Sequence, residues 1–111
     1  EFRRVLFRSL TVSRSPQGIQ QIGYEELHKD GLKHWNLIIN CTPLGTFPNV
    51  EEHPNIPYEG IGDRHFCIDL VYNPAETSFL SKAKTNGALT LNGADMLQFQ
   101  ADASWNLWNK K

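Results

Sequence analysis

Trp35-Asn36-Leu37-Ile38-Ile39-Asn40-Cys41-Thr42-Pro43-Leu44-Gly45 and His65-Phe66-Cys67-Ile68-Asp69-Leu70-Val71-Tyr72-Asn73-Pro74 follow one plan: an apolar run ends abruptly in a polar exit that carries a proline. Near-continuous apolar runs of this length suit strands buried on both faces of a parallel sheet. In open α/β sheets ligands bind just beyond the carboxyl ends of such strands. The two exits are therefore the first place to look for a site.

Working outward, Leu10-Thr11-Val12-Ser13 is a short β-prone run that stops at Arg14-Ser15-Pro16. Tyr24 to Lys29 mixes apolar and charged residues as a short amphipathic helix does, with Gly31 as its stop. Pro43 to Arg64 holds four of the six prolines and no periodicity, which predicts a long loop with at most one helical turn. Loops this long are uncommon and often functional. Glu76 to Lys84 has helical composition and Asn86-Gly87 is a C-terminal stop signal. Ala88 to Leu91 reads as an edge strand, and Ala94 to Asn109 as a final helix with Met96, Gln100, Ala103 and Leu107 on one face. Trp105 and Trp108, three residues apart, should pack against the sheet or another domain. Strands alternating with helices imply right-handed crossovers and a mainly parallel sheet with flanking helices.

At 111 residues and 40% hydrophobic content the chain is long enough for one core. A formal charge of -1 and the lack of a basic stripe argue against nucleic acid as a partner. No apolar segment approaches the roughly 20 residues that span a bilayer, so no membrane partner is expected and the location reads as cytoplasmic. Cys41 and Cys67 are expected to be a reduced, structural pair, packed as small apolar residues. His28, His34, His53 and His65 show no metal-ligand spacing and read as solvent or packing residues.

Glu1 to Ser9 resembles the in-frame translation of a short sequencing-library adapter and is set apart as a non-native segment, leaving residues 10–111 as the domain. A genuine basic strand is the alternative. Without that segment the chain carries 8 basic and 11 acidic residues, a formal charge of -3. The chain would then begin inside a longer gene product.

Ser13-Arg14-Ser15 places a guanidinium between two hydroxyls at a strand end, with no carboxylate. That set suits a phosphate monoester, because Arg offers a bidentate fork and Ser short donors. In dinucleotide-binding folds an Arg after the second strand accommodates the ribose 2′-phosphate, where an acidic residue would read the 2′-hydroxyl. The same tripeptide also occurs on ordinary solvated turns.

Three ordered segments carry a more specific signal: Ile39-Asn40-Cys41-Thr42-Pro43-Leu44-Gly45, then Asp69-Leu70-Val71-Tyr72-Asn73-Pro74 with Thr77, Phe79 and Leu80, then Asn92-Gly93-Ala94-Asp95-Met96-Leu97-Gln98-Phe99-Gln100-Ala101. Together they resemble the shikimate dehydrogenases, specifically the C-terminal nucleotide-binding domain and the helix that returns toward the substrate, over about residues 10–109. The resemblance implies a partial Rossmann-like domain that lacks its first βα unit and binds NADP. By the same resemblance Ser13, Arg14 and Ser15 grip the 2′-phosphate, although the family more often has Asn-Arg-Thr there. Asn40, Cys41 and Thr42 match an Asn-Ala-Thr-type turn bordering the cofactor. Leu70 and Tyr72 match the strand exit beside nicotinamide and substrate, with the Tyr72 phenol offered to the substrate. Gly93 matches a glycine whose backbone approaches the nicotinamide carboxamide, and Gln100 a glutamine that reaches a substrate hydroxyl.

Each assignment has a plain rival. Tyr72 could cap its strand with the hydroxyl in water, Gly93 could be a junction before the helix, and Gln100 could lie on the surface. Asp69 is better suited to satisfying loop donors than to catalysis.

The reaction the resemblance implies is reversible hydride transfer between NADPH and the 3-keto group of 3-dehydroshikimate, giving shikimate, a step toward aromatic amino acids. The expected partner is that small molecule; a substrate domain with a catalytic Lys and Asp is expected elsewhere in the full enzyme, for which a homodimer is one option. No catalytic residue is assigned in this chain, which is expected to show no turnover by itself. The other readings are a quinate or methylene-tetrahydrofolate dehydrogenase of the same fold, a non-catalytic α/β binding module such as a flavodoxin-like signalling domain, or a fragment that does not fold as a unit.

Overall fold

The computed structural model describes residues 9–18 and 20–109; the adapter-like segment falls outside these except for Ser9. Among the described residues, five strands and two α-helices run in the order β1 (Thr11–Val12), β2 (Gln21–Ile22), β3 (Leu37–Asn40), β4 (Phe66–Asp69), α1 (Ser78–Thr85), β5 (Leu89–Leu91) and α2 (Gly93–Trp108). All pairings are parallel, but they form two sheets among the described residues. One is β1-β2 and the other β3-β4-β5. The parallel strands and flanking helices expected from the sequence are present, with β1 paired to β2 alone among the described residues.

The register of the larger sheet sorts its side chains into two faces. Ile38, Cys67 and Thr90 form one row, toward α1, whose Phe79, Leu80 and Ala83 are buried. These residues join Leu32, Ile61 and Ala88 in the core, with Leu27, Ile38, Ile56 and Tyr58 packed around it. The long loop therefore closes one end of the core through Ile56, Tyr58 and Ile61. On the opposite face lie the rows Leu37-Phe66-Leu89 and Ile39-Ile68-Leu91. Leu37 is 51% exposed, Ile39 44% and Leu89 69%. This corrects the reading of β3 as buried on both faces: no layer among the described residues covers its second face.

Helix α1 has both of its ends specified. Thr77 caps the start by accepting from the Leu80 N–H at 3.2 Å. At the other end Gly87 takes a positive φ of 96°, the Gly87 N–H reaches the Lys84 carbonyl at 3.0 Å and the Ala88 N–H reaches that of Ala83 at 3.1 Å, as in a Schellman motif.

Elsewhere the local expectations need correction. Tyr24 to Lys29 yields a 3₁₀ turn over Tyr24–Glu26, and Gly31 begins a second one, Gly31–His34, where a stop was expected. Strand β2 was not expected at all. Trp105 and Trp108 do not pack on the sheet; they are 65% and 72% exposed along with nearly all of α2. Cys41 and Cys67 are both free thiols, yet only Cys67 is buried, so Cys41 is not a packing residue.

Candidate functional site

Cys41, Thr42, Pro43 and Thr46 after β3, and Leu70, Val71, Tyr72 and Asn73 after β4, line one open cleft of about 440 Å³. It sits at the carboxyl edge of two neighbouring parallel strands. The two loops are tied together across it, because the Phe47 N–H donates to the Asn73 carbonyl at 2.9 Å.

Below the cleft runs a buried polar network. Asp69 is 0% exposed. Its Oδ1 accepts from Asn40 Nδ2 at 3.1 Å and from the Val71 N–H at 3.0 Å, while its Oδ2 accepts from Thr77 Oγ1 at 2.6 Å. Asn40 turns its own Oδ1 the other way, to the Thr42 N–H at 3.1 Å and Thr42 Oγ1 at 2.7 Å. Thr42 Oγ1 in turn accepts from the Leu44 N–H at 3.3 Å. Every donor on this path has an acceptor, which is what a site with so little water requires.

The structure brings Thr42, Leu70 and Tyr72 together at the cleft, with Tyr72 64% exposed and its phenol free to meet a ligand. Asn40 lies beneath, its side chain committed to Asp69 and Thr42, so it shapes the turn that a ligand would touch. Gly93 stands at the base of α2. Its N–H donates to the Val71 carbonyl at 3.3 Å, and a Cβ there would overlap the Leu70 carbonyl, 2.8 Å from its carbon. The missing side chain lets α2 start directly against the β4 exit. Gln100 lies one to two turns further along α2 and is exposed.

Ser13, Arg14 and Ser15 follow β1 in the other sheet and are not part of the cleft lining. Ser13 Oγ accepts from the Ser15 N–H at 3.1 Å, forming a tight turn that presents Arg14 outward. Arg14 is exposed and has no acidic partner among the described residues. Its guanidinium is available to an anion.

The cleft also holds the cysteine to which the sequence gives two readings, a packing residue or part of the turn after β3. Cys41, read as packing, lines it and is exposed. Cys67, behind the sheet, has its thiol pushed up to about 11 by burial. Their neighbours separate the two: Cys41 lies between Asn40 and Thr42 in the polar exit, whereas Cys67 lies between Phe66 and Ile68 inside the apolar run.

Comparison with known proteins shows what the chain is similar to. The chain is 34% identical to a shikimate dehydrogenase (NADP(+)) of Desulforamulus reducens over 110 residues, which is 97% of this chain and 36% of that protein. It is 41% identical over 81 residues to the enzyme of the same name from Methanococcus aeolicus, covering 73% of this chain and 29% of that one. The chain is homologous to the shikimate dehydrogenases. In three dimensions it matches the Thermus thermophilus shikimate 5-dehydrogenase, solved with NADP(H) and shikimate, at a TM-score of 0.70 and 25% identity over 98% of this chain and 42% of that one. A chorismate mutase/shikimate 5-dehydrogenase fusion from Clostridium acetobutylicum matches at a TM-score of 0.63 and 36% identity, covering 88% and 36%. No family model matches the chain. The chain spans about a third of the length of the curated relatives it matches.

Proposed function

We propose that the chain supplies the NADP-binding wall of a shikimate dehydrogenase, an oxidoreductase that interconverts 3-dehydroshikimate and shikimate. The observation that carries this reading is the cleft formed by two parallel-strand exits, in a chain 34% identical over 97% of its length to an enzyme named for NADP(+). Its residues fit the group. Strand carboxyl ends are where such folds receive nucleotides, and Arg14 is an exposed guanidinium at the exit of β1 with no acidic partner among the described residues.

When bound, NADPH supplies the hydride, leaving orientation and exclusion of water to the protein. Ser13, Arg14 and Ser15 hold the 2′-phosphate. Thr42 and Leu70 border the nicotinamide end, and Gly93 keeps the start of α2 close to it. Tyr72 and Gln100 offer hydrogen bonds to the substrate, so that the keto carbon is presented to the cofactor. The proton donor and the rest of the substrate site belong to the remainder of the enzyme, here proposed to be a substrate domain.

NADP+ and NAD+ titrated against the chain and its Arg14→Ala variant test the assignment. Arg14→Ala should weaken NADP+ about tenfold or more and leave NAD+ within about twofold, since only the first carries the phosphate. Equal losses for both would remove Arg14 from the site. A quinate dehydrogenase, the rival reading, would be distinguished on the full-length protein by preferring quinate to shikimate at equal concentration.

A further inference from the structure

We infer that Asp69 is the positioning residue of the cleft, a buried joint through which the β3 exit, the β4 exit and the first turn of α1 hold one another in place; the functional part of this inference rests on the cleft being the cofactor site. Three elements meet on the one carboxylate. Asn40 belongs to β3, the Val71 N–H leads directly to Tyr72, and Thr77 caps α1. Every partner donates, so the site is built for a group that only accepts.

Asp69 also decides which way Asn40 faces. Because Asn40 Nδ2 must donate to Asp69, its Oδ1 is left for the Thr42 N–H and hydroxyl. A reversed amide would put a donor against the Thr42 N–H. The conformation of the cleft turn at Thr42 is therefore set from β4, across the strand pairing Asn40 with Asp69.

An isosteric Asp69→Asn change cannot satisfy this arrangement. With the amide oxygen toward Asn40 and Val71, its NH2 meets Thr77 Oγ1, which already accepts from Leu80, and the Thr77 hydroxyl hydrogen loses its acceptor. With the amide reversed, its NH2 meets the Val71 N–H and Asn40 Nδ2. Either orientation strands a donor where Asp69 and Thr77 are both 0% exposed.

Amide hydrogen exchange on the whole chain tests this without a ligand. In Asp69→Asn the Thr42, Val71 and Leu80 amides should all exchange about tenfold faster or more, while the Cys67 and Ile68 amides of β4 keep their protection. NADP+ affinity should fall about tenfold with them. Thr77→Ser, which keeps the hydroxyl, should leave all three amides and the affinity unchanged. If Asp69→Asn does not fold, Thr77→Val against Thr77→Ser carries the test, since only transmission through Asp69 and Asn40 would make Thr77→Val accelerate exchange at Thr42. Faster exchange confined to the substituted residue's direct neighbours would overturn the joint. So would an unchanged NADP+ affinity in a chain whose three amides have all lost protection. If the unsubstituted chain fails to bind NADP+ while the three amides respond together, the cofactor reading falls and the joint stands.

Discussion

Gly93 shows how one hydrogen atom in place of a side chain can set the approach of a helix to a strand exit. Because a Cβ at this position would run into the Leu70 carbonyl, Gly93→Ala must push α2 away from the β4 exit. The expected cost is about 1–3 kcal/mol, by analogy with other overpacked sites, and thermal unfolding measures it. The two cysteines give a second residue-scale prediction. At pH 8 an alkylating reagent should modify Cys41 and spare Cys67, with intact mass showing a single adduct until the chain is denatured. The Cys67 thiol is raised by burial to about 11 from an ordinary value of 9.0. Folding therefore favours the protonated thiol. That contribution is full below about pH 9 and is lost as pH rises through 9 to 11, so Tm should drop over this window and Cys67→Ala should flatten the drop. At this scale the position of Thr42 and Tyr72 at the two strand exits was legible in the sequence. The expectation that both cysteines pack as small apolar residues failed at Cys41, which lies between Asn40 and Thr42 just past the end of β3 and is exposed.

Among the elements, α1 was the most legible, because Thr77 at its start and Asn86-Gly87 at its end carry local instructions that the folded chain follows. Thr77 does double duty, however, as cap and as donor to Asp69. Thr77→Ala should therefore cost more than a cap alone, about 2 kcal/mol or more in denaturant melts, because it also leaves a buried Asp69 oxygen short of a donor. Strand β2 was illegible for the opposite reason. Two residues, Gln21 and Ile22, show no period, and only their pairing with Thr11 and Val12 makes them a strand. Similarly, Tyr24 to Lys29 has helical composition but only the length for a 3₁₀ turn. A turn so short gains too few bonds to propagate into an α-helix.

At the scale of the molecule, apolar surface that no layer among the described residues covers stands out. Leu37, Ile39 and Leu89 on the sheet and Leu97, Phe99, Trp105, Leu107 and Trp108 on α2 are all exposed. For Leu37, Ile39, Trp105 and Trp108 that apolar character led to the expectation of burial; whether a partner layer is present is a property of the assembled fold and not of any one segment. The isolated chain should accordingly bind a hydrophobic dye strongly, and Leu37→Lys with Leu89→Lys should reduce the dye signal without lowering Tm by more than a degree or two. A dye signal unchanged by both substitutions would place the bare surface elsewhere.

The cleft at the two strand exits is the centre of the whole reading, and Cys41 on its wall is a built-in reporter. The decisive measurement is the rate of Cys41 alkylation in the folded chain, followed by intact mass with and without NADP+. If the cleft receives the nicotinamide end of the cofactor, saturating NADP+ slows the reaction several-fold, and Arg14→Ala raises the concentration needed. An alkylation rate that NADP+ leaves unchanged at every concentration would contradict the assignment of this cleft.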